Sequence, residues 1–167
     1  KEKKFLKEKS NFIEKKLPFS LTISQQNVLK EINEDLLSKK RMFRIVQGDV
    51  GSGKTIVSLL AIANAIEGGY QCALMAPTEI LAKQHYELAK KIFKDVNFKI
   101  DFLTGKTEIK NKKEILKNLE NGKTNLLIGT HSLFQKKINF NKLGLAIIDE
   151  QHKFGVKQRS ELAKKGG

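Results

Sequence analysis

The chain has 167 residues, 40% hydrophobic and 30% charged, with a formal net charge of +14 and a single cysteine. That length suits one domain with a real core and is short for two, and the balance excludes a disordered chain. No apolar run approaches the roughly 18 to 20 residues of a membrane helix, and a lone Cys72 excludes an internal disulfide and fits a reducing compartment, the cytoplasm.

The positive field would attract a polyanion, nucleic acid first. Against this, only Arg41, Arg44 and Arg159 among the 32 basic residues are arginine, so a lysine-rich proteome alone would give the same excess. Cys72, His85, His131 and His152 lack zinc spacing, and no structural metal is expected.

Residues 1–16 read as a lysine-rich helix with Phe5, Leu6, Phe12 and Ile13 on one side, broken at Pro18. "SQQNVLKEINEDLL" has helical spacing at Val28, Leu29, Ile32, Leu36 and Leu37, with Ser24 as N-cap. "MFRIVQ" is a strand running into a glycine loop. "TIVSLLAIANAIEGG" is a helix stopped by Gly68 and Gly69. "QCALMA" is a strand, and "TEILAKQHYELAKKIFK" a helix capped by Thr78. "FKIDFLTG" is a strand, and "TEIKNKKEILKNLENG" a helix closed by Asn121-Gly122. "TNLLIGT" and "LGLAIIDE" are strands. Strands that are apolar throughout belong to a sheet covered on both faces, so the alternation implies βαβ units around a mainly parallel sheet. Ligands bind beyond the carboxyl ends of such strands.

"GDVGSGKT" fits G-x-x-x-x-G-K-[ST], with Gly48, Gly53, Lys54 and Thr55 in the fixed places. Glycines let successive N–H groups, those of Gly51, Ser52 and Gly53 among them, turn inward as an anion nest. The helix that follows adds free N–H groups and the positive end of its dipole. Lys54 would reach the β- and γ-phosphates of a nucleotide, and Thr55 would offer its hydroxyl to Mg2+. A P-loop needs a second, acidic element, and "LAIIDE" ends an apolar strand on Asp149 and Glu150. Asp149 would hold the metal. Glu150 would orient or deprotonate the attacking water.

With His152 the acidic segment reads "DEQH", and here the sequence resembles superfamily 2 helicases, most of all the RecG family of branch-migrating DNA helicases. The resemblance runs from Leu17 onward. It is carried by "LPFSLTISQ", "VQGDVGSGKT", "MAPTEILAKQHY", "FLTGK", "IGTHSLFQ" and "IIDEQHKFGVKQR". Lys153 departs from the family's arginine, keeping the charge and losing the planar fork.

The resemblance implies a RecA-like three-layer αβα fold of the P-loop NTPase class. Residues 1–17 would be a linker helix and 18–167 the first motor domain. It implies that Gln25 reads adenine, although a solvated helix residue is the plain alternative. It makes His152 a coupler between ATP state and DNA contact. It places DNA backbone at Thr78 and Glu79, at Thr104, Gly105 and Lys106, and at Thr130 and His131 beside Gly129. Helix capping explains Thr78 equally well, a turn explains Thr104 to Lys106, and packing could explain His131. The expected whole is a monomer that remodels forks and junctions in recombination and repair. A second motor domain with its arginine finger and an N-terminal wedge domain would lie beyond this chain, leaving the piece itself weakly active. The rivals are a related translocase of the transcription-repair coupling type and a non-catalytic binding module. A small GTPase would need N-K-x-D, and "NKLG" at Asn141 lacks the aspartate.

Overall fold

The computed structural model describes residues 12–15, 17, 21–23, 25–27, 29–30, 34, the backbone of 42–46 and 54, and residues 55–131 and 138–149. Five strands, β1 (Met42–Val46), β2 (Gln71–Ala76), β3 (Ile100–Leu103), β4 (Leu126–Thr130) and β5 (Leu143–Asp149), form one sheet in the order β1-β5-β2-β4-β3. Every neighbouring pair is parallel.

Three helices make the connections: α1 (Lys54–Glu67), α2 (Glu79–Ile92) and α3 (Ile109–Glu120). Right-handed crossovers decide which face each helix covers. From β1 to β2 to β3 the chain moves one way across the sheet, so α1 and α2 share a face. From β3 to β4 it moves back, so α3 takes the other. The core divides accordingly. Leu59, Leu60, Ile62 and Ala89 meet Cys72, Leu74, Leu126, Ile128, Leu145 and Ile147 on one face. Leu119 meets Ala73, Met75, Leu127, Ala146 and Ile148 on the other. Odd and even residues of β2, β4 and the stretch of β5 from Leu145 part between the two clusters, as the two-residue period of a strand requires, and Leu143, ahead of the register shift, falls in the second. The three-layer αβα architecture expected from the sequence is the one observed.

The segments also match closely. β2 is the six residues expected and is buried throughout. Thr78 caps α2, its hydroxyl accepting the Leu81 N–H at 3.2 Å. Gly69 (φ 92°) and Gly122 (φ 85°) take the left-handed conformation just past α1 and α3.

One expectation is corrected. The N-cap of the helical stretch after residue 21 is Thr22, not Ser24, which lies outside the described residues. Thr22 Oγ1 accepts the Gln25 N–H at 3.1 Å, and Gln25 Oε1 accepts the Thr22 N–H at 2.8 Å. That is a reciprocal capping box. The N-cap of α3 is Glu108 and makes no side-chain cap bond. The Thr107 hydroxyl accepts the Thr104 N–H instead, closing the turn before the helix. From the stretch read as linker, Ile13 is buried in the α1/α2 core while Phe12 beside it is exposed.

Candidate nucleotide site and the edge beside it

The carboxyl ends of all five strands lie along one edge of the sheet. β1 ends there on Val46, paired with Asp149 at the end of β5. Neighbouring strands are about 4.8 Å apart, so the aspartate stands one strand away from the point where the glycine loop leaves the sheet. Asp149 shares the parity of Leu145 and Ile147, which face α1 and α2. Thr55 is buried in the first turn of α1, over that same face. A hydroxyl and a carboxylate are hard oxygen donors, the set Mg2+ prefers. The residues present therefore fit the ion. Gly48, Gly51, Ser52, Gly53, Glu150 and His152 lie outside the described residues, as does the Lys54 side chain.

The Asp149 carboxylate is not left to solvent. Its Oδ2 lies 2.8 Å from Nε2 of His85, with 1% of the His85 side chain and 7% of the Asp149 side chain exposed. To donate to a carboxylate the ring must carry its proton on Nε2. Nδ1 is buried and has no hydrogen-bond partner among the described residues. His85 sits on the buried stripe of α2 with Ala82 and Ala89.

A second histidine reaches the same residue from another side. His131, immediately after β4, directs its ring at the main-chain carbonyls of Met75 and Asp149. Burial pushes its pKa down from 6.5 to about 3, against the opposing pull of those carbonyls. The ring is therefore neutral near pH 7.

The expected DNA-side residues divide by exposure. Thr78, Gly105 and Lys106 are exposed and Glu79 is half-buried, whereas Thr104, Thr130 and His131 are buried. β2, β4 and β3 are neighbours, so their terminal loops stand side by side. Lys106 Nζ comes within 3.6 Å of Glu79 Oε2 across them. The Thr104 hydroxyl accepts the Lys106 N–H, which is the turn role. Gln25 spends its Oε1 on the capping box.

His85 was assigned no role from sequence. The available signal was a polar residue on the apolar stripe of an amphipathic helix, which must find a partner when buried.

The DEAD/DEAH box helicase model matches residues 22–166. The chain belongs to the DEAD/DEAH box helicase family. It is 52% identical over 150 residues to the ATP-dependent DNA helicase RecG of Synechocystis, covering 90% of this chain and 18% of that protein. It is 48% identical over 159 residues to the RecG of Streptococcus pneumoniae, covering 95% of this chain and 23% of that one. A solved structure of RecG bound to a three-way DNA junction superposes with a TM-score of 0.83 at 45% identity, covering 92% of this chain and 21% of that chain. The UvsW helicase of bacteriophage T4, at 16% identity and a TM-score of 0.65 over 99% of this chain and 59% of that one, shares the fold. The chain thus spans about a fifth of the length of the RecG proteins it matches. Within the helicase family its acidic segment has the DEQH form at Asp149 to His152.

Proposed function

We propose that the chain is the ATP-binding first motor domain of a RecG-type DNA helicase. In that reading the whole protein couples ATP hydrolysis to branch migration and remodelling of forks and junctions. The observation that carries the reading is the parallel register of Val46 with Asp149. It sets the strand that feeds the P-loop directly beside the strand that ends on the acid.

Lys54 would reach the β- and γ-phosphates of ATP, and the N–H groups of Gly51, Ser52 and Gly53 would serve the same anion. Thr55 and Asp149 would hold Mg2+, which would supply positive charge to the transferring phosphate when bound. Glu150 would orient the water and take its proton, and His152 would couple the ATP state to DNA contact. Gln25 meets adenine. The arginine that completes the site comes from the second motor domain of the whole protein.

DNA belongs on the other half of the same edge. The RecG structure that this chain resembles holds a three-way DNA junction, and the net charge of +14 favours a polyanion. Thr78, Gly105 and Lys106 offer exposed N–H, hydroxyl and ammonium groups to backbone phosphates. Thr104, Thr130 and His131 support those loops from below, and Glu79 orients Lys106.

The test is ATP hydrolysis by this chain in Mg2+ at low salt, with and without a forked DNA, beside Lys54→Ala. The expected result is ATP binding by the unmutated chain with little turnover, and loss of binding in the variant. Equal binding by both proteins would refute the nucleotide site.

A further inference from the structure

We propose that His85 is the positioning residue for the metal-binding carboxylate: from the middle of α2 its Nε2–H holds Oδ2 of Asp149, fixing the rotamer in which the other oxygen serves Mg2+. The inference rests on the reading of residues 48–55 as a nucleotide loop.

Three features lead to it. The contact is short, 2.8 Å, and joins residues 64 apart in sequence, so it is a tertiary bond and not a helix cap or turn. Both partners are buried, which makes the bond strong and its loss costly. Asp149 is also the last residue of its strand. Packing around a buried carboxylate does not distinguish its two oxygens, which leaves rotation about χ2 free to exchange them. A hydrogen bond to one carboxylate oxygen removes that freedom while leaving the second oxygen available. Metal sites gain affinity from outer partners of this kind, and removing one typically costs about 10- to 100-fold in metal binding.

The placement also has a mechanical consequence. α2 begins at Thr78 and Glu79, on the edge assigned to DNA, and His85 lies two turns further along the same helix. A shift of α2 along its axis would carry Nε2 with it. The hydrogen bond therefore ties the metal ligand to the element that starts at the DNA-side loop.

The experiment titrates a fluorescent ADP analogue against the 167-residue chain, with Mg2+ and with EDTA. It is run on the unmutated chain, His85→Leu, His85→Gln, Asp149→Asn and the double variant His85→Leu/Asp149→Asn. Mg2+ should tighten binding by the unmutated chain. His85→Leu should lose about 10-fold or more of that Mg2+-dependent gain, with its EDTA affinity unchanged. His85→Gln, whose amide N–H2 can reach the same oxygen, should recover most of it. The double variant should be no worse than Asp149→Asn, because the histidine acts only through the aspartate.

A Mg2+-dependent gain in His85→Leu equal to that of the unmutated chain would overturn the proposal. So would losses that add in the double variant, or an equal fall in Mg2+ and EDTA. Absence of nucleotide binding by the unmutated chain would overturn the nucleotide-loop reading and this inference with it.

Discussion

His85 Nε2 and Asp149 Oδ2 meet at 2.8 Å in the interior, an imidazole from the middle of α2 against a carboxylate at the tip of β5. The pair is asymmetric in what each partner needs. A buried carboxylate without a donor is costly, whereas a neutral amide in its place still accepts from the imidazole. His85→Leu should therefore lower stability by about 1–3 kcal/mol, the penalty for an orphaned buried acceptor. Asp149→Asn should stay close to the unmutated chain. Urea unfolding midpoints of the two variants check the ordering. An Asp149→Asn loss as large as that of His85→Leu would mean that the charge itself, and not the hydrogen bond, stabilises this corner.

Gln25 caps a helix in this structure and is proposed to read adenine, and a substitution can separate the two roles. Its Oε1 caps the helix by accepting from the Thr22 N–H, and the adenine reading requires its amide N–H2. Gln25→Glu keeps the acceptor and removes the donor. It should weaken ATP binding relative to GTP while leaving the thermal midpoint unchanged. Gln25→Ala should lose both, with roughly 1 kcal/mol from the cap. A competition titration of ATP against GTP and a melting curve give the two readouts. Equal ATP preference in Gln25→Glu would restrict Gln25 to capping.

What could be read from the sequence was whatever has a local cause. β2 was legible because the five apolar residues Cys72 to Ala76 run straight into Pro77. Asp149 was legible because an acid abruptly closes an apolar strand. The capping box was there to be found, since Thr22-x-x-Gln25 fits its pattern, but Ser24 satisfied the simpler rule for an N-cap. Strand order was not legible. That β5 inserts between β1 and β2 depends on packing between segments, and a two-residue period reports only that a strand has two covered faces. Which face each helix covers then followed from that order through the right-handed crossover rule. The His85–Asp149 bond was least accessible, because its partners share no local pattern. The sequence shows a histidine on a buried stripe and nothing of what it meets.

Gly144 marks where the register of β2 against β5 shifts, between Gln71 and Cys72. A Cβ there would lie 2.6 Å from Tyr70 Cβ and 2.7 Å from its Cγ. Those atoms are fixed close to the backbone and cannot swing aside, and the ring carries the Lys142 ammonium at 4.6 Å. Gly144→Ala should cost about 1–3 kcal/mol from overpacking. Gly105→Ala, with nothing within 4 Å of the added carbon, should be near neutral. Chemical denaturation of the two variants decides it. Equal stability would show that β5 can move away from Tyr70 at little cost.

Gln71 is a polar residue opening an otherwise apolar strand, and both its amide donors and its amide oxygen are engaged at the amino-terminal edge of the sheet. Its Nε2 donates to the Leu119 carbonyl at 3.0 Å and the Thr124 carbonyl at 2.8 Å, and its Oε1 accepts the Lys142 N–H at 2.8 Å. One buried amide thus joins β2, the end of α3 and the approach to β5. Gln71→Leu would fill the space but orphan the Thr124 carbonyl and the Lys142 N–H, while the Leu119 carbonyl keeps the Asn141 N–H, costing about 1–3 kcal/mol. Gln71→Glu keeps the acceptor for Lys142 while opposing a carboxylate to two carbonyls, and should be no better at pH 7. Thermal midpoints check both. A Gln71→Leu midpoint equal to that of the unmutated chain would place the strength of this edge in its apolar packing.

His131 makes stability depend on pH in a definite direction. Its pKa falls to about 3 in the folded chain, against 6.5 when exposed, because burial disfavours the imidazolium. Between those values the unfolded chain binds a proton that the folded chain refuses. Unfolding is then proton-coupled, and stability must rise with pH through that window. The contribution is complete above pH 6.5 and is lost progressively as the pH falls toward 3. His131→Gln removes the titration while retaining a side-chain N–H for the Met75 and Asp149 carbonyls. The thermal midpoint of the unmutated chain should therefore drop more steeply than that of His131→Gln between pH 6.5 and 4. Above pH 7.5 the difference between the two proteins should be constant. Parallel melting curves across the acid range would mean that the ring stays accessible to protons in the folded state.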